Sequence, residues 1–420
     1  MRKSVFTDPP HSDVFITSTH TISKCLRLKA IHIFRGDHWP TKSTFKQQSD
    51  LALLYLHKET TGRYIVKFKD DATAASDNDI LRIAGVATRS IYSEVSQGFS
   101  AALTSEALQL NRERTDVEYI EEDGTGNWIA GVEATNSTND WIDQADATWD
   151  IARVANKSPG VSTYSYHKAA GEGMCAYIVD TGIDDKHPEF EGRAKQIKSF
   201  VSGTTDDNGH RTHCAGTIGS KTYGLAKKAT LFGNKVLDKK GQGTMDGIMS
   251  GCDFVLKEEP DRKCKAVLTN FSLGGGKHKA MNDAAAGIVK KGHFMAAAAR
   301  NSNKDAADFS PTSEPSICTV GATDSSDQKA RFSNFGSVVD IQAPCVDAVS
   351  TIPGGETYPA SGTSMACPHV VGQAAVLISQ GLAKSTDACE KMKEMALDAA
   401  KGFPSGTTSK LLFNGNPGAK

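Results

Sequence analysis

The stretch Cys175–Asp184, "CAYIVDTGID", is an apolar run that stops at Asp180 and then turns. Two later stretches repeat this design, Lys265–Gly276 ("KAVLTNFSLGGG") and His293–Asn303 ("HFMAAAARNSN"). Buried apolar strands that alternate with helical stretches are typical of a parallel sheet covered by helices on both faces. We therefore predict an α/β fold with a mostly parallel central sheet. Since ligands bind at the carboxyl ends of such strands, Asp180 and Asn301 mark its functional edge.

Composition narrows the classes of partner. The 420 residues carry 48 basic and 49 acidic side chains, mixed along the chain, for a formal net charge of −1. The sequence contains no basic stripe that would indicate a nucleic-acid partner. No apolar run approaches the ~18 residues of a membrane span, so we expect no membrane partner. The N-terminus starts basic but lacks the apolar stretch of a secretory signal.

The chain divides into four parts by pattern. Residues 1–57 show no convincing period, and their role is unknown. Residues 58–124 predict a small α+β domain, with strands in "RYIVKFK", "QGFSAALT" and "VEYIEED", a short helix in "ILRIAGVATRSI", and a second helix, "SEALQLNRER", capped by its serine. Residues 125–141, rich in Gly, Asn, Ser and Thr, are interpreted as an exposed linker. Residues 142–420 form the α/β domain.

A serine follows the apolar runs in a glycine-containing turn. Ser364 lies in "SGTSMACPH", just before a long apolar helix, where free N–H groups and the helix dipole favour negative charge. Alone, such a serine is more often a plain N-cap than a nucleophile. A serine nucleophile needs a general base and an acid that orients it. His210 and Asp180 supply both, in the chain order acid, base, nucleophile.

Histidines and cysteines offer a metal-binding alternative. His210 and His213 lie three apart in "DDNGHRTHCAG", but no third ligand is nearby, so we do not interpret them as a zinc site. The nine cysteines form no CxxC pair, which excludes a zinc ribbon. They are either buried thiols or long-range disulfides, and the pattern alone leaves this open.

Five motifs together resemble one family. "VDTGID", "NGHRTHCAG", "FSLGGG", "SPTSEPSICTVGATD" and "SGTSMACPH" are similar, in order and spacing, to those of subtilisin-like serine proteases of the fungal proteinase K-like group, from about Gly62 to the C-terminus. The resemblance implies a subtilisin-like fold. It also implies a serine endopeptidase in which Asp180 is the acid, His210 the base, Ser364 the nucleophile and Asn301 the oxyanion donor. It implies that an extended peptide or protein substrate is held by Gly241, Gly243, Ser272, Leu273, Gly274, Ala298 and Ala299.

The resemblance implies further features. His213 is structural, Cys214 is a free thiol, and two disulfides join Cys175 to Cys264 and Cys318 to Cys389. Structural calcium is held by the carbonyls of Pro315 and Ile317 with the Asp340 carboxylate, which suits an ion that prefers oxygen. The chain is expected to be a secreted monomer and a zymogen, with residues 58–124 as inhibitory propeptide and a cut near Trp141–Ile142. Two sequons, Asn136 and Asn156, are candidate glycosylation sites, whereas Asn270 is expected to be buried.

The chain departs from the family motifs at several glycines. Arg211 and Arg300 stand where the family has glycine, as do Cys345 and Asp150, and Cys367 replaces another small residue. A buried arginine needs a charge partner or water, and a cation beside His210 disfavours the imidazolium of catalysis. Arg300 either fills the specificity pocket or invites an acidic substrate side chain. An alternative hypothesis is therefore a pseudoprotease or peptide-binding protein of impaired activity.

Overall fold

The computed structural model describes residues 53–54, 62–70, 88–127, 131–132 and 140–420. The chain divides into two compact units, residues 1–48 and 49–420. The first unit, and with it nearly all of the expected N-terminal extension 1–57, lies outside the described residues.

The small domain, which we define as the described residues 53–123, contains a five-stranded sheet and one helix. The helix, Ser105–Arg112, is capped by the side chain of Thr104, one residue earlier than expected. Thr88–Tyr92 is a strand, although the helix expected over residues 80–91 included residues 88–91; pairing with Gly98–Ala102 overrides the local pattern, and residues 80–87 lie outside the described residues. The sheet order is Leu53–Leu54, Val117–Glu122, Arg63–Phe68, Gly98–Ala102 and Thr88–Tyr92.

The large domain, residues 140–420, is built on a nine-stranded sheet. Eight neighbouring strands run parallel, and the ninth, at one edge, is antiparallel. The predicted fold class is confirmed. The strands in spatial order are Ala194–Ser199, Thr230–Lys235, Met174–Asp180, Ala266–Phe271, Phe294–Ala298, Cys318–Thr323, Ile341–Pro344, Lys410–Leu411 and Leu397–Asp398.

Side chains of the central strand Met174–Asp180 alternate between two cores. Ile178 and its neighbours two residues away point to one core, which the helices His210–Gly219 and Cys367–Ser379 cover. Tyr177 and its neighbours two residues away point to the other core, which is covered mainly by the helices Met245–Arg262 and Lys279–Lys290. Since both faces are buried, the strand is apolar throughout its length. The other large-domain helices are Trp149–Val154, Met245–Arg262, Lys279–Lys290 and Ala388–Met395.

Short strand pairs and two 3-10 turns, Pro188–Phe190 and Ala306–Asp308, complete the fold. Two segments of the predicted linker 125–141 are strands, Thr125–Asn127 and Gly131–Val132, and a third strand begins at its last residue, Trp141. The antiparallel pairs are Ala348–Ile352 with Glu356–Ala360, Trp141–Gln144 with Tyr164–His167, Gly275–Gly276 with Phe309–Ser310, and Gln242–Thr244 with Thr125–Asn127; Met365–Ala366 pairs in parallel with Gly131–Val132.

Both expected disulfides are present, Cys175–Cys264 and Cys318–Cys389. They close loops of 89 and 71 residues, each worth about 4 kcal/mol in the loop-entropy model. Among the described residues, the other four cysteines are buried free thiols: Cys214, Cys252, Cys345 and Cys367. Within the same part of the chain, every helix is too short or too polar to cross a membrane.

Candidate active site

Asp180 and His210 meet at the carboxyl end of the central strand. Asp180 is the last residue of Met174–Asp180 and is fully buried. His210 is the first residue of its helix, and Gly209 before it has φ +91°, a conformation that favours glycine. The His210 Nδ1 atom lies 3.1 Å from both carboxylate oxygens of Asp180. This contact orients the ring, with Nε2 directed away from the acid.

Asp206, which the sequence did not single out, holds these two residues in place. Its buried carboxylate accepts a hydrogen bond from the Thr181 hydroxyl at 2.9 Å, and so fixes the position of the residue after Asp180. It also accepts from the Gly209 and Thr212 amides at 2.9 and 3.0 Å, at the start of the His210 helix. The available signal was an acid four residues before a helix start, a position where carboxylates satisfy free N–H groups.

Ser364 lies in the same site as His210. Cys214, one turn after His210, donates to the Ser364 carbonyl at 3.4 Å. The Ser364 hydroxyl donates to the Ser272 carbonyl at 2.8 Å. In the part of the chain that the structure describes, His210 Nε2 has no hydrogen-bond partner, so the serine must rotate to engage the base. The helix after Ser364 begins only at Cys367, three residues later, and the intervening Met365–Ala366 pairs with Gly131–Val132.

Asn301 is held by the turn that carries the nucleophile. Its Oδ1 accepts from both the amide and the hydroxyl of Thr363, each at 2.8 Å. The Nδ2 group is then the one that faces outward as a donor, as an oxyanion site requires. Thr363 is a second functional residue that the sequence did not single out; it stands next to Ser364 in the motif.

Two main-chain edges flank the nucleophile. On one, Gln242–Thr244 pairs with Thr125–Asn127, so this edge already binds an extended segment. On the other, Ser272 contacts Ser364 and Leu273 is fully buried. The predicted substrate residues Gly241, Gly243, Gly274, Ala298 and Ala299 lie on these edges or at the end of the neighbouring strand. Beside His210 lies an open cleft of about 470 Å³.

Arg211 is fully buried, as are its helix neighbours. Among the described residues, none of its three guanidinium nitrogens has a hydrogen-bond partner. Burial lowers the pKa of Arg211 to about 9, although the nearby charges of Asp180 and Asp206 oppose that shift. The arginine therefore remains a cation in the interior, and does not swing out to solvent.

The second histidine is part of the scaffold. His213 Nε2 lies 3.1 Å from the carbonyls of Ala348 and Tyr358. Burial lowers the pKa of His213 to about 4, so the ring is neutral at physiological pH. The ligand atoms of Asp180, His210 and Cys214 lie within 4.8 Å of one another, but burial raises the pKa of the Cys214 thiol well above its usual range. A neutral thiol is a poor metal ligand.

One predicted modification site does not fit the structure. Asn156 is 3% exposed, and its amide donates to the carbonyls of Ala152 and Thr163. A glycan on this nitrogen would break that packing, so this prediction needs correction. Asn136 lies outside the described residues. Asn270 is buried, as expected, and donates to Ser272.

Comparison with known proteins places this site in a family. The subtilase family model of Peptidase S8 matches residues 171–414. Alkaline serine protease ver112 of Corniculantispora psalliotae is 46% identical over 84% of this chain and 90% of that protein. The cuticle-degrading protease of Metarhizium anisopliae is 45% identical over 84% and 89%. Proteinase R of Parengyodontium album is 44% identical over 85% and 89%.

A solved structure gives the same result. The crystal structure of a cold-adapted subtilisin-like serine proteinase is 36% identical and covers 64% of this chain and 99% of its own, with a TM-score of 0.60. Because these relatives are named as proteases, the alternative of a non-catalytic peptide-binding protein is not favoured. The chain belongs to the subtilase family, in its fungal proteinase K-like group, and is a serine endopeptidase.

Proposed function

We propose that the enzyme cleaves peptide bonds by acyl transfer from Ser364, with His210 as general base and Asp180 as its orienting acid. The observation that carries this is the 3.1 Å contact of His210 Nδ1 with both oxygens of the buried Asp180. With Nδ1–H held there, Nε2 is free to accept the Ser364 proton.

The proposed steps use the donors that surround the nucleophile. Ser364 turns from the Ser272 carbonyl to His210 Nε2 and attacks the substrate carbonyl carbon, while its proton passes to Nε2. The oxyanion accepts from Asn301 Nδ2 and from the Ser364 amide. His210 then returns the proton to the leaving amine, and water repeats the sequence to release the acyl group.

A fluorophosphonate probe tests this mechanism, because it labels an activated serine. We expect processed wild-type protein to be labelled, and Ser364→Ala and His210→Ala to lose labelling and turnover together. Ser302→Ala, a matched change of an exposed serine, should keep both. Labelling that persists in Ser364→Ala would contradict the assignment.

We also propose that the small domain is an inhibitory propeptide. Two of its carboxylates contact the starts of large-domain helices, where the dipole favours negative charge. Glu121 accepts from the Ala280 amide at 2.7 Å, at the start of Lys279–Lys290. Asp123 accepts from the Asp246 amide at 3.2 Å, at the start of Met245–Arg262. The segment that follows, Thr125–Asn127, pairs with the Gln242–Thr244 edge, where substrate would bind.

The zymogen proposal predicts a cut near Trp141–Ile142, between the linker and the large domain. Wild-type protein should yield a species beginning near Ile142, and Ser364→Ala should stay full length. Glu121→Gln should weaken inhibition of mature enzyme by added propeptide. A mature start between residues 128 and 131 would contradict the expected position and favour a cut closer to the paired edge.

Calcium is proposed as a structural ion. Pro315 and Ile317 carbonyls with the Asp340 carboxylate form a donor set that suits it. Asp340 accepts from the Thr319 amide at 2.9 Å, and Lys393 Nζ lies 3.3 Å from its other oxygen, so the ion must displace this ammonium. Calcium should raise the melting temperature over EGTA, and Asp340→Asn should abolish the gain. Lys393→Met should lower the calcium concentration required.

Export as a monomer completes the proposal. Two disulfides and a small inhibitory domain suit an oxidising, extracellular compartment. The processed species should be recovered from culture medium and elute from size exclusion at the mass of one chain. Recovery only from the reduced cytosol, with free thiols at Cys175 and Cys264, would contradict export.

A further inference from the structure

Arg300 occupies a strained position between the oxyanion donor and the nucleophile turn. It directly precedes Asn301 and has φ +83°, a left-handed conformation that costs a residue with a side chain about 1–2 kcal/mol. Its amide donates to the Thr363 hydroxyl at 3.1 Å, and its carbonyl accepts from the Asn334 amide at 2.9 Å. These bonds hold the backbone, so the direction of the side chain is set by the fold.

The side chain of Arg300 lies against the second substrate edge. A Cβ atom placed on Gly274 would lie 3.2 Å from Arg300 Cδ, so the arginine stem packs on the surface that this glycine leaves open. The side chain is partly buried, and burial lowers the pKa of the guanidinium from its usual value. A desolvated cation of this kind gains more from a carboxylate than an exposed one does.

The Ser272–Gly274 edge also faces the side chain of the substrate residue whose carbonyl is attacked. A peptide whose carbonyl carbon faces Ser364 has its carbonyl oxygen at Asn301 and its main chain along Ser272–Gly274. The side chain of the residue that supplies this carbonyl must then point toward Arg300, which lines the wall beside Gly274. This geometry rests on the acyl-transfer mechanism proposed above.

We propose that Arg300 is a specificity-determining residue, and that it makes the enzyme prefer an acidic side chain, glutamate or aspartate, on the acyl side of the cleaved bond. The guanidinium presents planar N–H donors that match a carboxylate. Its stem occupies room that a large aromatic side chain would need. The enzyme therefore selects for charge and against bulk at this position.

The test compares substrates that differ only at this residue: succinyl-Ala-Ala-Pro-X p-nitroanilides with X as Glu, Gln or Phe, and with X as Ala for comparison. Glutamine matches glutamate in shape, so their kcat/KM ratio isolates the charge. For wild type we expect Glu over Gln by roughly 10- to 100-fold, the range of a charged hydrogen bond. The ratio should fall at high ionic strength, and below about pH 4, where glutamate protonates.

Three variants of Arg300 separate charge from volume. Arg300→Met keeps the length and the backbone strain but removes the charge, so the Glu/Gln ratio should fall to about one. Arg300→Lys should keep part of the preference. Arg300→Gly should open the space and raise kcat/KM for Phe above that for Glu.

A wild-type Glu/Gln ratio of one or less, with Ser364 still labelled by fluorophosphonate, would overturn the proposal, as would an unchanged ratio in Arg300→Met. If wild type preferred X as Ala over all three substrates, Arg300 would only exclude large side chains, and the proposed preference for an acidic side chain would be wrong. Absence of both labelling and turnover would instead overturn the acyl-transfer mechanism, and this proposal with it.

Discussion

Arg211 and Asp180 share one fully buried environment, in which the arginine charge acts on the carboxylate that orients His210. In the proposed mechanism, Asp180 thus faces two cationic groups, the His210 imidazolium and the Arg211 guanidinium. The first is transient and catalytic, whereas the second is permanent. The permanent guanidinium charge lowers the free energy that is gained when the imidazolium forms beside Asp180.

Arg211→Met should raise both stability and turnover. The variant keeps much of the volume and removes a buried charge whose nitrogens, within the described residues, make no hydrogen bond. The relief of the desolvation cost, several kcal/mol for one buried ion, should exceed the attraction to Asp180 and Asp206 that is lost with the charge. Chemical denaturation and kcat should both show the gain, and Arg211→Lys, which retains the charge, should show neither. A less stable Arg211→Met protein with unchanged kcat would contradict this.

Asp206→Asn should lower kcat by about 10- to 100-fold with little change in KM, the loss expected when catalytic groups are misplaced. The Gly209 and Thr212 N–H groups donate to different carboxylate oxygens, and the amide keeps only one acceptor oxygen, so its NH₂ group would face one of these two donors. His210 would then lose its fixed position. Asp207→Asn is the matched control, since Asp207 is exposed. Equal kcat for the two variants would refute this positioning role.

Asn301→Ala should reduce kcat by about 10²- to 10³-fold and leave KM nearly unchanged, because the donor is needed only once the oxyanion forms. Thr363→Val should give a smaller loss, since it removes one of the two hydrogen bonds that hold Asn301 Oδ1 and keeps both the bond from the residue 363 amide and the Asn301 side chain. Steady-state kinetics on one peptide substrate measure both. A main effect on KM would assign Asn301 to ground-state binding.

Asp150 predicts a pH dependence of stability. Burial raises the pKa of Asp150 to about 6, above the ~3.9 of an unfolded chain. Between about pH 4 and 6 the folded state binds more protons than the unfolded state, so the free energy of unfolding falls as pH rises through this window. The loss is about 3 kcal/mol and is complete above pH 6.

Asp150→Asn should remove this loss and make the protein more stable than wild type at pH 7 but not at pH 4. His369, whose Nε2 lies 3.8 Å from Asp150, stays neutral over this range because burial lowers its pKa well below the usual value. Urea unfolding at both pH values measures the difference. Equal stability of the two proteins at pH 7 would contradict the assignment.

The local sequence pattern predicted the parts of the fold that depend on the residues of one strand alone. The apolar run ending at Asp180 is buried on both faces, so its composition alone indicated a parallel sheet. Residues whose role depends on distant partners were not predicted. Thr125–Asn127 is a strand only because Gln242–Thr244 lies beside it, and the partners of Asp206 converge only in the folded chain.

The family resemblance predicted pairings that no local pattern reaches, such as Cys318 with Cys389. It also directed attention to Arg211 and Arg300, where glycine was expected. It could not decide where these side chains would go. The structure buries the first in the core and lays the second along Gly274.

Thr363 joins three elements through one side chain and one amide. Its hydroxyl accepts from the Arg300 amide and donates to Asn301, and its own amide also donates to Asn301, one residue before Ser364. A substrate side chain that shifts Arg300 should therefore also shift Asn301, the proposed oxyanion donor. In this enzyme, discrimination among substrates should appear in the rate of the chemical step, and not only in the strength of binding.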